Sequence, residues 1–252
     1  MITIASDFGT PYPAAMKGAI LRQTDATLVD VAHDFPRQDV EAAAFWLREV
    51  LPEFPPAVHL AVVDPGVGTG RGVLAVTAGE HVLVGPDNGL LLPAARRIAD
   101  DVSVYAVEYG NPESSTFHGR DVFAPLAGEV HEEGTVLFET DDRFTRTDEY
   151  ETIAFPEPSL GDATARGEIV VVDGFGNAVT NVPGEFLDDH FGGDVVVNGE
   201  SAPVRRTYAT VDPGHRLVTV GSHENVELAV NQGRGKEAFD VDVGDRVLLE
   251  LG

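Results

Sequence analysis

Two rhythms of apolar residues run through the first 135 positions. Short β-rich runs at 2–6, 27–31, 58–63, 72–77, 81–84 and 102–107 carry the composition and length of strands. Between them, apolar residues recur at helical spacing over 14–23, 39–51, 90–99 and 122–132, with Asp39 placed as the N-cap of the second. Strands alternating with helices predict an α/β domain built on a central sheet flanked by helices. Residues 139–166 break the pattern: the segment is acidic, holds Pro156 and Pro158, and sustains no period. Beyond it, runs at 168–172, 178–181, 194–197, 217–220, 226–230 and 246–250 are separated by Gly-containing turns and read as strands. The expected organisation is an α/β domain over 1–150, a linker over 151–166, and a smaller all-β, barrel-like domain over 167–252.

Charge narrows the partners. Of 252 residues, 17 are Lys or Arg and 42 are Asp or Glu, a formal net charge of −25. Such a surface repels phosphate backbones, so neither nucleic acid nor an anionic membrane is an expected partner. Only Lys17 and Lys236 are lysines, and this acid-rich, Arg-over-Lys balance resembles the halophilic proteins of salt-loaded cytoplasms. At molar salt the screening length is about 3 Å, so the charge would not steer a substrate from afar. No Cys is present, which removes disulfides, thiolate zinc sites and cysteine nucleophiles. The start of the chain lacks a basic segment followed by a long apolar run, and no apolar stretch reaches the roughly 18–20 residues of a membrane span. A soluble, cytoplasmic protein is expected.

Candidate chemistry gathers where strands end, the place where open α/β sheets bind ligands. Asp7-Phe-Gly-Thr10 follows the first run, Asp64-Pro-Gly-Val-Gly-Thr-Gly-Arg71 the third, Gly85-Pro-Asp-Asn-Gly89 the fifth, and Ser115-Thr-Phe-His-Gly-Arg-Asp121 the sixth. Each loop alone is a good turn sequence. Four of them at successive strand ends, supplying Asp, Arg and His, exceed what turning a corner requires. The glycine-rich stretch 66–72 is not a phosphate cradle: Arg71 stands where G-x-G-x-x-G needs glycine, and a strand follows where a helix is needed. His118, between Phe117 and Gly119 in a loop opening a helix, favours a functional role over structural packing. His59 and His81 fall in strands and read as packing or surface residues. In the second domain, Asp173-Gly-Phe-Gly-Asn177 reads equally as a tight turn or as an aromatic that stacks on a purine between polar neighbours.

Taken together, SDFGT (6–10), MKG (16–18), VDPGVGTGR (63–71), VGPDNGLL (84–91), STFHGRDVFAP (115–125), DGFGNAVTN (173–181) and ELAVNQG (227–233) resemble the S-adenosylmethionine (SAM) hydroxide adenosyltransferases, relatives of the fluorinating and chlorinating enzymes. The motifs are colinear over nearly the whole chain. The resemblance implies hydrolysis of SAM to adenosine and L-methionine, no cofactor, no metal site, and a homotrimer whose sites lie between subunits. It implies Asp64, Arg71 and His118 as catalytic residues, Asp7 at the ribose hydroxyls, and Phe117 and Phe175 against the nucleoside. Asp173 and Ser222 are implied at the methionine end, and Asn177 with the backbone of Asn231, Gln232 and Gly233 at adenine. Asp64, Val67 and Gly119 stand where the halogenating relatives carry halide-site residues, and their long insertion is missing, which disfavours halogenation. The 9–18 loop is two residues shorter than the family pattern and lacks its second Asp.

The implied chemistry suits these residues. An oxygen nucleophile enters opposite the sulfonium at ribose C5′ and a neutral thioether leaves. An anion and a cation become neutral products, so a dry pocket favours the transition state. Water is a weak nucleophile with a pKa of about 15.7. A guanidinium such as Arg71 stabilises an oxyanion without losing its own proton. Asp64 and His118 are both candidates for the proton, a histidine side chain ordinarily titrating near neutrality. Two rival readings belong to other classes: a metal-dependent phosphohydrolase using Asp7, Asp64, Asp87, His118 and Asp121 as ligands, and a non-catalytic adenosine or SAM sensor.

Overall fold

A computed structural model describes residues 1–110 and 116–252; Ser115, the first residue of the sixth strand-end motif, lies outside the described residues. Contacts divide the chain into two compact units, Met1–Ile153 and Ala154–Gly252.

Among the described residues the first unit has seven strands: β1 (Ile2–Ser6), β2 (Leu28–Ala32), β3 (Val58–Val62), β4 (Val73–Ala78), β5 (His81–Pro86), β6 (Val102–Val107) and β7 (Phe144–Arg146). They form one mixed sheet in the order β2-β1-β3-β5-β4-β6-β7. The pairs among β2, β1, β3 and β5 are parallel, while β5-β4, β4-β6 and β6-β7 are antiparallel. Every residue of β1 and β3 is buried, as expected for strands covered on both faces. On one face Ile2, Ile4, Leu60 and Val62 pack with Met16 and Ile20 of α1 (Tyr12–Ile20) and with Ala127 and Val130 of α4 (Ala124–Glu133). Helix α2 (Val40–Val50) packs on α3 (Leu92–Ile98), and α3 on β4.

Helix α2 starts as its sequence directs: the Asp39 carboxylate accepts the Ala42 N–H at 2.9 Å, satisfying one of the orphan donors of the first turn. Three helix starts differ from expectation, that of α3 falling at Leu92 and not at 90. Helix α1 begins at Tyr12, because Pro13 in the first turn fits a helix start, where its missing N–H is no loss. Helix α4 is preceded by a π turn, Gly119–Phe123. Pro125 has no N–H to return to that turn and its ring crowds the carbonyl four residues back, which a wider turn accommodates.

The second unit holds β8 (Ser159–Leu160), β9 (Thr164–Val172), β10 (Ala178–Pro183), β11 (Asp194–Val197), β12 (Glu200–Pro203), β13 (Arg216–Val220), β14 (Asn225–Val230) and β15 (Arg246–Leu251). The path β12-β11-β15-β9-β10-β14-β13 is antiparallel throughout, with β8 on the side of β9. Beside β12, Val204 bridges to Val218 of β13, bringing the two ends of the path together into a near-barrel. Ile169, Val182, Leu187, Val218, Leu228 and Leu249 fill its interior. An α/β unit followed by a smaller all-β unit is the fold class expected from the periodicity. The short strands β7, β8 and β12 were not expected. Among the described residues no helix is long and apolar enough to cross a membrane.

Candidate functional site

Three strand-end loops of the first unit line one cavity of about 480 Å³. Its walls include Asp7 and Phe8 after β1, Asp64 and Val67 after β3, and Phe117, His118 and Arg120 at the π turn. Parallel β1 and β3 are neighbours, so their C-terminal ends, and the loops they carry, emerge side by side. Tyr12, Arg37 and Gln38 also line the cavity, and the sequence does not single out any of these three.

Asp7 is buried, and its Oδ2 accepts the Gln38 N–H at 2.7 Å. Gln38 adopts φ 62°, a left-handed backbone unusual for a non-glycine residue, which directs that N–H at the carboxylate. The β1 exit is tied down twice more. The Gly9 N–H donates to the His33 carbonyl at 2.8 Å, and the Ser6 hydroxyl lies 2.8 Å from His33 Nδ1. His33 Nε2 in turn meets Asp30 at 2.9 Å. Ser6, His33 and Asp30 thus share the residue types of a hydrolase triad, but Ser6 is 0% exposed and has no access to a substrate.

Asp64 is buried at the exit of β3, its side chain 5% exposed. Its Oδ1 accepts the Gly66 N–H at 3.0 Å and lies 3.0 Å from Arg71 Nε. The Arg71 contact is an ion pair and not an aligned hydrogen bond, since the buried Nε finds no acceptor in line. Burial pushes the Asp64 carboxyl above its ordinary value; the Gly66 N–H, Arg71 and His118 pull it down, and the Asp7 charge adds to the rise. Arg71 itself does not line the cavity. It lies against Gly66, where an added Cβ would come within 2.5 Å of Nε, and its Nη1 donates to the Asp87 carbonyl at 3.0 Å. A side chain at 66 would therefore displace the Arg71 guanidinium.

His118 is buried immediately before the π turn, and its ring meets Tyr109 edge-on at 6.0 Å. Phe117 is boxed by Phe8 at 5.9 Å and Tyr12 at 5.5 Å, both edge-on, with the Arg120 guanidinium 5.3 Å over its face. A Cβ at Gly119 would come within 3.0 Å of Phe8 and 3.2 Å of Phe117, so glycine there keeps the aromatic wall intact. Tyr12, the first residue of α1, is 53% exposed at this wall. The five-residue ligand set of the phosphohydrolase reading does not assemble. Asp121 pairs with Arg120, the Asp87 carboxylate accepts the Glu151 N–H at 2.8 Å, and no three His, Asp or Glu among the described residues are grouped as metal ligands.

The expected residues of the second unit occupy three turns. Asp173 spends both oxygens on its own turn: Oδ1 accepts the N–H of Phe175 at 2.9 Å and of Asn177 at 2.8 Å, and Oδ2 accepts the Asn177 carboxamide at 2.9 Å. Phe175 stands at the tip, 81% exposed. Residues 231–236 lie beside this turn, the Lys236 N–H donating to the Gly176 carbonyl at 2.9 Å. Asn231 is committed to the fold, its side chain donating to Val211 and its N–H to His215, and the Gly233 N–H turns back to Val230; Gln232 is exposed. Ser222 is exposed next to buried His223. Between these turns lies a polar cluster that was not expected. Buried Glu227 accepts the Tyr208 hydroxyl at 2.6 Å and sits 3.5 Å from His223 Nε2. Burial, Glu227 and Asp173 together push the Tyr208 phenol well up. The available signal was a single acid inside the apolar run Asn225–Val230.

Comparison with known proteins agrees over both units. Residues 2–137 match the model of the SAM hydroxide adenosyltransferase N-terminal domain, and residues 167–248 that of its C-terminal domain. A protein of Salinispora tropica named (R)-S-adenosyl-L-methionine hydrolase is 37% identical over 100% of this chain and 98% of its own. One of the same name from Thermus thermophilus is 39% identical, covering 97% of each chain. A crystal structure of a conserved protein from Thermotoga maritima superposes with a TM-score of 0.87 at 31% identity over 99% of both chains.

Proposed function

Because the chain belongs to the SAM hydroxide adenosyltransferase family, we propose that its cavity performs the reaction its relatives are named for: hydrolysis of S-adenosyl-L-methionine to adenosine and L-methionine, by in-line attack of an activated water at ribose C5′. The observation that carries this reading is the convergence of Asp7, Asp64, Phe117 and His118, from loops far apart in sequence, on one cavity.

Asp7, clamped by Gln38, is placed to accept hydrogen bonds from the ribose hydroxyls. Phe117 and its aromatic neighbours give the cavity an apolar wall against the nucleoside. That wall keeps bulk water from the sulfonium and the incoming oxygen, which favours a step in which opposite charges disappear. Asp64 receives a hydrogen bond from the attacking water, and Arg71 holds that carboxylate from behind. The water proton passes to the Asp64–His118 pair. The leaving thioether is neutral, so the scheme calls on no Lewis acid, metal or cofactor.

The exposed ring of Phe175, the Asp173–Asn177 turn, Ser222 and the 231–233 segment are read as substrate contacts supplied to a neighbouring copy in a homotrimer, Asp173 and Ser222 at the methionine end, Asn177 and residues 231–233 at adenine. A cytoplasmic location fits an acidic, cysteine-free chain. Incubation with SAM followed by chromatography is expected to yield adenosine and methionine in equal amounts. An intact substrate that nevertheless binds would make the protein a sensor, and activity abolished by a chelator would return the metal reading.

A further inference from the structure

The turn Gly85-Pro-Asp-Asn-Gly89 has no part in the scheme above, yet it makes contacts that its own geometry does not need. In the sheet, β5 lies between β3 and β4. Strand β3 runs parallel to β5 and β4 antiparallel to it, so the end of β3, the end of β5 and the start of β4 share one edge. The loop carrying Asp64 and Arg71 passes from β3 to β4 over the turn that ends β5.

Each side of that turn grips one of the two residues. The Asn88 carboxamide donates to the Val63 carbonyl at 2.8 Å, one residue before Asp64. The Asp87 carbonyl accepts Arg71 Nη1 at 3.0 Å, and the Asp87 N–H donates to the carbonyl of Gly72, one residue after Arg71, at 3.0 Å. The backbones approach so closely that a Cβ at Gly72 would sit 3.3 Å from that of Asp87. Within the turn, Asn88 Oδ1 accepts the Leu90 N–H at 3.2 Å. An asparagine present only for turn chemistry would satisfy itself locally; this one also reaches a strand 25 residues away.

We propose that Asn88 is a positioning residue for the reaction assigned above: its carboxamide locks the 85–89 turn to the end of β3, and thereby fixes both the carbonyl that holds Arg71 and the strand end that presents Asp64. This role rests on the hydrolase reading for its effect on turnover but not for its effect on the Asp64–Arg71 pair. The charged groups facing Asp64 are Arg71, His118 and Asp7. Loosening Arg71 removes a cation that holds the Asp64 carboxyl down, while the other two stay in place.

The test compares wild type with Asn88→Ala, which loses both side-chain bonds, and Asn88→Asp, which keeps the acceptor for Leu90 and loses the donor to Val63. Two readouts are taken: kcat and KM for SAM against pH, and the titration of the Asp64 carboxyl carbon by NMR in the substrate-free protein. The expected result is a loss in kcat of about tenfold or more with KM within about twofold, the acid limb of kcat moved to higher pH, and the Asp64 midpoint moved upward in both variants. A folded variant with wild-type kcat and an unmoved Asp64 midpoint overturns the proposal, as does a rise in KM alone. Should Asn88→Ala fail to fold, Asn88→Leu, neutral and of similar volume, decides, because the added charge of Asn88→Asp raises the Asp64 midpoint by itself. A wild type that leaves SAM intact refutes the hydrolase reading, while the NMR midpoint still decides whether Asn88 positions the pair.

Discussion

Two aspartates, each following a strand and preceding a glycine-rich turn, are used in opposite ways. Asp173, in the second unit, accepts three hydrogen bonds from the two residues it folds around, and so builds the turn that presents Phe175. Asp64, in the first unit, accepts one backbone N–H, is met by a guanidinium from behind, and lines a cavity. One carboxylate is taken up by hydrogen bonds within its own turn and the other is left open to the cavity, its protonation shifted by burial, by the Gly66 N–H and by the neighbouring Arg71, His118 and Asp7. The composition of a loop does not separate these outcomes; the number of donors that reach the carboxylate does.

The largest effect expected from this contrast is on turnover. Asp64→Asn and His118→Ala are each expected to lose on the order of 10²–10⁴ in kcat while melting near wild type. Asp173→Ala is expected to retain kcat within about tenfold and to lose about 0.5–1.5 kcal/mol of stability, because the hydrogen bonds of an exposed turn are exchanged for bonds to water. Equal losses of kcat at Asp64 and Asp173, measured alongside thermal melts, would erase the distinction.

A smaller effect separates the sheet of the first unit from its cavity. His59 of β3 is buried, with Nδ1 2.7 Å from the Thr3 hydroxyl and Nε2 2.8 Å from His81. Burial, then the His81 charge, pulls its pKa down from 6.5 to about 4. The unfolded chain therefore takes up a proton below about pH 6.5 that the folded chain refuses until about pH 4. Stability present above pH 6.5 is lost as the pH falls across that window, by about 3 kcal/mol in all, and levels off below it. Denaturant titrations at pH 7 and pH 4.5 measure the loss, and His59→Gln is expected to flatten it. A slope unchanged in that variant would place the acid sensitivity elsewhere.

What the chain discloses without a structure follows from how local each feature is. The bounds of β1, β6 and β11, and the Asp39 cap, are set by neighbours along the sequence and were read directly. Strands β7, β8 and β12 have four residues or fewer and take their form from the strand each pairs with, so no period marks them. The motif residues Asp7, Asp64, Phe117 and His118 were identified in advance, but what fixes them was not: the Gln38 N–H on Asp7, the Asp87 carbonyl behind Arg71 and the Glu227–Tyr208–His223 cluster are contacts between distant segments. Arg71 is the instructive case: its motif marks it in the sequence, while its contacts with Asp64, Gly66 and the Asp87 carbonyl are visible only in the fold.

The claim on which the account turns is that oxygen from solvent enters at C5′ as the sulfonium leaves. Hydrolysis in heavy-oxygen water, read by mass spectrometry of both products, tests this directly. The account predicts the label in the 5′-hydroxyl of adenosine and none in methionine. Unlabelled adenosine, or a methylthio-nucleoside beside a labelled amino acid, would contradict it.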